Sequence, residues 1–304
     1  QEKSLEEVFE ATENSYSLMK QGQTSMGYSM SYSYTADQRI DIDIKTDDAG
    51  KYHVRSINVT PSSLHTISNN FTFDYGYKNN LTLGLTIPLV MKYDSIDTLS
   101  GSGIGDISIN ARWQPYAYVP GEMSRTFTGS FKTKTGDSPF QSISSKRLPT
   151  GSGYYSLSGG LSVSKVIDPV MLYGSGSASY AIPETNVNQP RSGTLLKEVK
   201  PGVSLSFSAG FAYSLSYDVS MSMSFQGSYS NKSEYTFTNG IASTSAGMSG
   251  IFNMSLGVRV SPKTITNIGV GFGMTDDSPD ILLSISMPID MNGLKPKSLV
   301  GSSL

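Results

Sequence analysis

The chain has 304 residues, 23 Lys+Arg against 25 Asp+Glu, and no cysteine. The near-balanced charge offers no basic footprint for nucleic acid, and the absent thiols exclude disulfides, thiolate metal sites and cysteine nucleophiles. Only 16% of residues are charged and 37% hydrophobic; soluble domains carry about 25% charged residues, and a soluble chain this long buries a richer core.

The surplus is Ser, Thr, Gly, Asn and Tyr. No run of 18 apolar residues occurs, so no membrane helix is expected. No signal peptide is read either, as in a mature or trimmed form.

The N-terminal stretch differs from the rest. Leu5, Val8, Phe9, Thr12, Tyr16 and Met19 fall on one face at helical spacing. Ser4 followed by Glu6 and Glu7 places acids in a first turn, where the helix dipole favours them, and Lys20 with Gly22 reads as a stop. The pattern predicts an amphipathic helix over Glu2–Lys20, about 28 Å long. Three parts follow: a helix over 1–22, a strand region over 23–291 and an appended tail over 292–304.

From Gln23 onward the period is two. "SMGYSMSYSY" sets Met26, Tyr28, Met30, Tyr32 and Tyr34 against serines and a glycine. "NNFTFDYGY", "LTLGLTIPLV", "DISINARWQ" and "RTFTGSFKTK" continue the alternation. So do "YYSLSGGLSVSK", "MLYGSGSASYAI" and "GVSLSFSAGFAY". In "VSMSMSFQGSYS", Val219, Met221, Met223 and Phe225 alternate with Ser220, Ser222, Ser224 and Gln226. "NMSLGVRV", "NIGVGFGM" and "DILLSISMPI" complete about twelve strands of roughly ten residues, the length that spans a bilayer.

The connections sort by length. Short ones are Tyr77–Asn80, Ile167–Pro169, Ser216–Asp218 and Ser261–Lys263. Long polar ones are Ala36–Pro61, Ser95–Gly105, Gly136–Gly153, Pro183–Pro201 and Asn231–Ala246. Only "QPYAYVPGEMS" is longer than a short-rim turn should be.

A strand with one apolar and one hydroxyl face suits a soluble sandwich, a Ser/Gly-rich fibre or a membrane barrel. Loops sorted by rim, a face of almost pure Ser/Gly/Thr, and tyrosines gathered at strand ends favour the barrel. The expected fold is an all-β membrane protein: a twelve-stranded antiparallel transmembrane β-barrel in the bacterial outer membrane, with the N-terminal helix at the short-turn mouth. The serines then face water in a narrow lumen.

Few residues carry chemistry. His53 and His65 are the two histidines; with serines so abundant, a nearby Ser–His pair is a matter of chance. Asp41, Asp43, Asp47 and Asp48 read as a solvated acidic loop before a calcium site. "GSGIGD" (Gly101–Asp106) and "GVGFG" are glycine-rich, but no helix follows either, against a phosphate loop. No catalytic residue, metal or cofactor is expected.

Strand parity directs Asp74, Arg112, Lys132, Lys134 and Arg259 inward with Ser222 and Ser224. A lipid-facing charge at midplane costs about 2–4 kcal/mol. Lys165 falls on the apolar phase beside a short turn, where it can snorkel. The inward charges either pair with one another or set selectivity.

"GSGIGDISINARW", with Gly103, Gly105, Asp106 and Arg112, resembles the strand entrance of the phenol-degradation-pathway porin-like family of outer-membrane proteins. The plan of the whole chain, an amphipathic helix followed by a Ser/Tyr-rich twelve-strand barrel, is similar to the Fap functional-amyloid export channels of pseudomonads. That resemblance implies a homotrimeric channel that exports unfolded amyloid polypeptide and is gated by its helical plug. Those channels carry a periplasmic coiled coil ahead of the plug; none is present here, which implies a trimmed form. The alternative is a general or aromatic-solute porin.

Overall fold

The computed structural model describes residues 18–46, 52–117, 119, 121–140, 147–191, 194–261 and 264–289, and for residues 37–46, 52–62 and 191 the backbone alone. Its strands are β1 (Thr24–Thr46), β2 (Tyr52–Lys78), β3 (Leu81–Asp94), β4 (Leu99–Ile104), β5 (Ser108–Trp113), β6 (Ser124–Lys132), β7 (Ser156–Ile167) and β8 (Val170–Ala181). They continue with β9 (Glu184–Arg191), β10 (Thr194–Lys200), β11 (Ser204–Ser214), β12 (Val219–Ser230), β13 (Glu234–Phe237), β14 (Gly240–Ser243), β15 (Gly247–Ser261), β16 (Thr264–Gly273) and β17 (Ile281–Ile289).

Thirteen of these form one antiparallel sheet that runs β2-β1-β17-β16-β15-β12-β11-β8-β7-β6-β5-β3-β4, and β2 also pairs with β3, which closes the ring. β4 and β5 both lie on β3, β4 along Leu89–Asp94 and β5 along Leu81–Thr86. They are two halves of one wall position, so the barrel has twelve.

Register explains why this closure is favoured. Directly opposed residues share a face, and the pairs match like with like: Met223 opposite Met254, Phe225 opposite Phe252, Ser222 opposite Ser255, Ser206 opposite Ser177. A slip of one residue would turn every serine outward.

The two faces are inverted relative to a soluble protein. Leu83, Met91, Leu157, Leu172, Leu205, Phe207, Leu256, Ile268 and Leu283 are exposed. Among the described residues the buried apolar set is only Val90, Leu148, Met171, Ala181, Leu196, Val199 and Ala212, whereas Thr82, Thr126, Ser162, Ser164, Ser220 and Ser222 are buried. A soluble sandwich would bury the leucines; here they form a continuous outer belt. Exposed Tyr75, Tyr77, Trp113, Tyr116 and Tyr217 lie toward the short-turn rim, and Tyr93, Tyr155, Tyr180 and Tyr229 toward the other. This is the aromatic flanking of a lipid-exposed band.

Four segments depart from the sequence-based expectation. Ser95–Gly105, read as a long polar loop, holds strand β4 (Leu99–Ile104), paired to β3. Ala36–Pro61, read as a polar loop, instead prolongs β1 and β2 as a hairpin with Cα partners from Ala36↔Ser63 to Thr46↔Tyr52 and a register shift at Asp43/Ile44. Alternating Ile40, Ile42 and Ile44 carried that signal. Pro183–Pro201 and Asn231–Ala246 hold a second, four-stranded sheet, order β14-β13-β10-β9. Its strands are short and its pairing joins two separate loops, which local pattern cannot reveal.

The N-terminal helix residues Leu5, Val8, Phe9, Thr12 and Tyr16 lie outside the described residues. The described end of that stretch, residues 18–20, is not helical. It is bound sideways to the barrel instead, through Met19 N–H to Thr82 Oγ1 at 2.8 Å.

Candidate channel lumen

The inner wall is built from alternate residues of each strand. On β7, β8, β11, β12 and β15 these are almost all serine and glycine. The hydroxyls satisfy one another between neighbouring strands: Ser175 with Ser208 at 2.8 Å, Ser222 with Ser255 at 2.6 Å, Ser228 with Ser249 at 2.7 Å and Ser204 with Ser230 at 3.0 Å. A recess of about 340 Å³ opens along this wall, lined by Ser175, Ser206, Ser208, Gln226, Ser228 and Ser249. Each hydroxyl both donates and accepts. A wall of such pairs is wettable and neutral, and it demands no particular shape from what passes.

The opposite side of the wall is ionic. Asp74 on β2 and Arg112 on β5 face inward across β3, and the guanidinium meets the carboxylate at 2.8 Å. Gly84 makes the contact possible, because a Cβ there would stand 2.5 Å from the Asp74 carboxylate. Lys132, at the end of β6, holds its ammonium 5.3 Å from the Tyr154 ring centroid. Burial first, and then the neighbouring Tyr235 and Asp106, push the Tyr154 phenol above its usual value of 10.0.

Lys134 lies past the end of β6, at the rim. It bonds Glu184 at 2.6 Å and sits 5.2 Å from the Tyr155 ring centroid. It therefore joins the barrel mouth to the small outer sheet, a role the strand parity did not indicate. Arg259 on β15 shares the inward phase with Ser255 and Asn253 opposite β12. Ser222 is on the inner face but buried, while Ser224 is half-buried and Gln226 exposed.

His65 turns the other way. It stands on the outer face among aromatics, with Tyr32 Oη 2.8 Å from Nδ1 and the Tyr34 ring 5.0 Å away. With Tyr93 stacked at 6.3 Å on its other side, the arrangement is that of an aromatic belt. His53, Asp41 and Asp43 lie where the backbone alone is described, and Asp47 and Asp48 lie outside the described residues.

Sequence reasoning missed two inner features. Met171 and Ala212 are fully buried on the inner wall toward the short-turn rim, with Val166 and Tyr173 packed against them. They form an apolar patch inside a polar barrel. At the same rim but across the barrel from that patch, the chain before β1 lies against the inner side: the Lys20 carbonyl occupies the space a Cβ of Gly76 would need, and Gly22 N–H bonds the Gly76 carbonyl at 2.8 Å.

A closed, inverted, twelve-position barrel with aromatic rims and a polar interior defines the class of this protein: a transmembrane β-barrel of the bacterial outer membrane. Similarity to solved structures agrees. The chain resembles the COG4313 outer membrane channel from Pseudomonas putida F1, with TM-score 0.67 and 13% identity over 90% of this chain and 97% of that one. It also resembles the translocator domain of the autotransporter NalP from Neisseria meningitidis, with TM-score 0.52 and 10% identity over 93% of each chain. At these identities the likeness is one of fold. No family model matches the sequence.

Proposed function

We propose that this barrel is a channel that exports an unfolded, amyloid-forming polypeptide across the outer membrane, and that residues 1–22 close it from the short-turn side. The observation that carries the reading is the course of Met19 and Lys20 along the inner side of Thr82 and Gly76. That course is what supports a lumen seat for residues 1–22. A helix bearing Leu5, Val8, Phe9, Tyr16 and Met19 requires an apolar seat, since an isolated helix of this length does not persist in water. The self-paired serine wall suits an extended chain that must slide without being held. Lys132 and Arg259 would attract the helix acids Glu2, Glu6, Glu7, Glu10 and Glu13, while Arg112 is already paired with Asp74. Homotrimeric assembly and the absence of enzymatic activity belong to the same reading.

A passive porin for small or aromatic solutes is the second reading, favoured by the fold likeness to a protein described as an outer membrane channel. Planar-bilayer recordings separate the two. Deleting residues 1–22 should raise single-channel conductance severalfold, and high salt should loosen the intact plug because part of the attraction is ionic. Unchanged conductance on deletion, together with rapid uptake of small solutes by vesicles holding the intact chain, would sink the plug and favour the porin. Loss of amyloid on cells that lack the channel, restored by the intact gene, is the test of cargo.

A further inference from the structure

The "GSGIGD" motif has no part in the function proposed above, yet it is among the most densely bonded places in the molecule. We propose that residues 133–140 and 147–155, the two described limbs between β6 and β7, form a strap that narrows the lumen, and that Asp106 is the positioning residue that pins both of them.

β5 is paired on its far side by β6, but β4 is not. Residues 147–150 take that free edge instead. Leu148 N–H bonds the Ser100 carbonyl at 3.1 Å, the Arg147 guanidinium donates to the Ser102 carbonyl at 2.8 Å, and Thr150 Oγ1 donates to the Ile104 carbonyl at 2.9 Å. The strap then runs over the inner face of β4. Gly101 and Gly103 are opposite Lys92 and Val90, whose phase is that of the inward Thr82 and Gly84. A Cβ on Gly101 would overlap the Leu148 carbonyl, and one on Gly105 would lie 3.3 Å from the Thr150 carbonyl oxygen. Glycine inside a strand costs about 0.5–1 kcal/mol relative to alanine; Gly101 is the one whose bareness the Leu148 backbone requires, whereas Gly103 meets only the Thr150 side chain, at 3.6 Å.

The two limbs of the strap touch at Gly136 and Gly151, where a Cβ on Gly136 would stand 2.6 Å from the other's Cα. Asp106 sits in the break between β4 and β5, beside both. Its carboxylate accepts Gly136 N–H at 3.1 Å from the first limb, and Ser152 N–H at 2.7 Å and the Ser152 hydroxyl at 2.5 Å from the second. Thr135 Oγ1 donates to the Gly105 carbonyl and accepts Ile107 N–H, both at 2.9 Å. Arg147 and Asp137 close the strap on itself at 3.0 Å. Hydrogen bonds to a charged acceptor are about twice as strong as neutral ones, and Asp106 is the one side chain bonded to both limbs. A further chain against the wall removes roughly 5 Å of bore, one strand spacing. In a barrel of twelve positions that is a large share of the opening.

The inference rests on the channel reading but not on the nature of the cargo. Val90, on the inner wall beside Gly105, reports the strap. The protein has no native cysteine, so Val90→Cys is a unique target for a membrane-impermeant thiol reagent added to cells that carry the full chain. Losing the charged acceptor should speed labelling at least about tenfold in the Asp106→Ala background, with a larger and noisier single-channel current.

Equal labelling rates with and without Asp106 would overturn the proposal. If Asp106→Ala fails to give the folded, heat-modifiable band, Thr150→Val with Ser152→Ala removes two of the strap's hydroxyl donors, to Ile104 and to Asp106, and leaves β4 and β5 intact. The same acceleration supports the strap, and its absence refutes it. Labelling is read without cargo, so failure of export with accelerated labelling defeats the export reading alone.

Discussion

The Asp74 carboxylate and the Arg112 guanidinium, on strands separated by β3, meet at 2.8 Å over the bare backbone of Gly84. Both side chains are less than one-fifth exposed. Each is thus inside the barrel with its charge answered. Asp74→Ala leaves the guanidinium without this partner and should destabilise the barrel by about 1–3 kcal/mol, read as a lower temperature for the folded-to-unfolded shift on gels. Gly84→Ala should cost stability too, because its Cβ collides with the carboxylate. A Gly84→Ala variant as stable as the parent would show that the pair is not seated where the structure has it.

The labelling pattern of β12 discriminates more finely than simple alternation. Gln226→Cys, on the exposed inner face, should react quickly with a water-borne thiol reagent, and Phe225→Cys only with a lipid-soluble one. Ser222→Cys should be slow with both, since Ser222 is buried and bonded to Ser255 at 2.6 Å. Equal rates for Gln226→Cys and Phe225→Cys would refute the assignment of faces.

On the outer wall, the Phe207 ring folds over Gly227, its Cα partner on β12, and a Cβ there would enter the ring. Phe225 completes the contact, with ring centroids 5.9 Å apart. Gly227→Ala should displace Phe207 and cost about 1–3 kcal/mol by overpacking. The double variant Gly227→Ala, Phe207→Ala should recover part of the loss. No recovery in thermal unfolding would mean that the glycine is required by the backbone and not by the ring.

The barrel was legible because its signal is local and repeated. Alternation from Met26 to Tyr34 or from Val219 to Phe225 states which residues share a face, and a chain with so few charges and so little apolar content can satisfy that pattern only by turning its apolar side to lipid. The inward phase of Asp74 and Arg112 was legible for the same reason, although their meeting was not: it depends on β3 lying between β2 and β5, and on a glycine at the crossing.

Other features are set by contacts between residues far apart in the chain. The four-stranded outer sheet joins β10 to β13, two loops whose short strands carry no pattern of their own. The spacing of Gly101, Gly103 and Gly105 is plain in the sequence, but what Gly101 makes room for is the backbone of Leu148, more than forty positions away. Asp106 reads as one acid in a glycine-rich turn until the fold brings Gly136 and Ser152 to it. Periodicity is a property of neighbours along the chain, so the sequence by itself determined strands, faces and the inverted architecture. Close approach is a property of neighbours in space, and only the tertiary structure decided which glycines are spaces, which charges are paired and which loop crosses the wall.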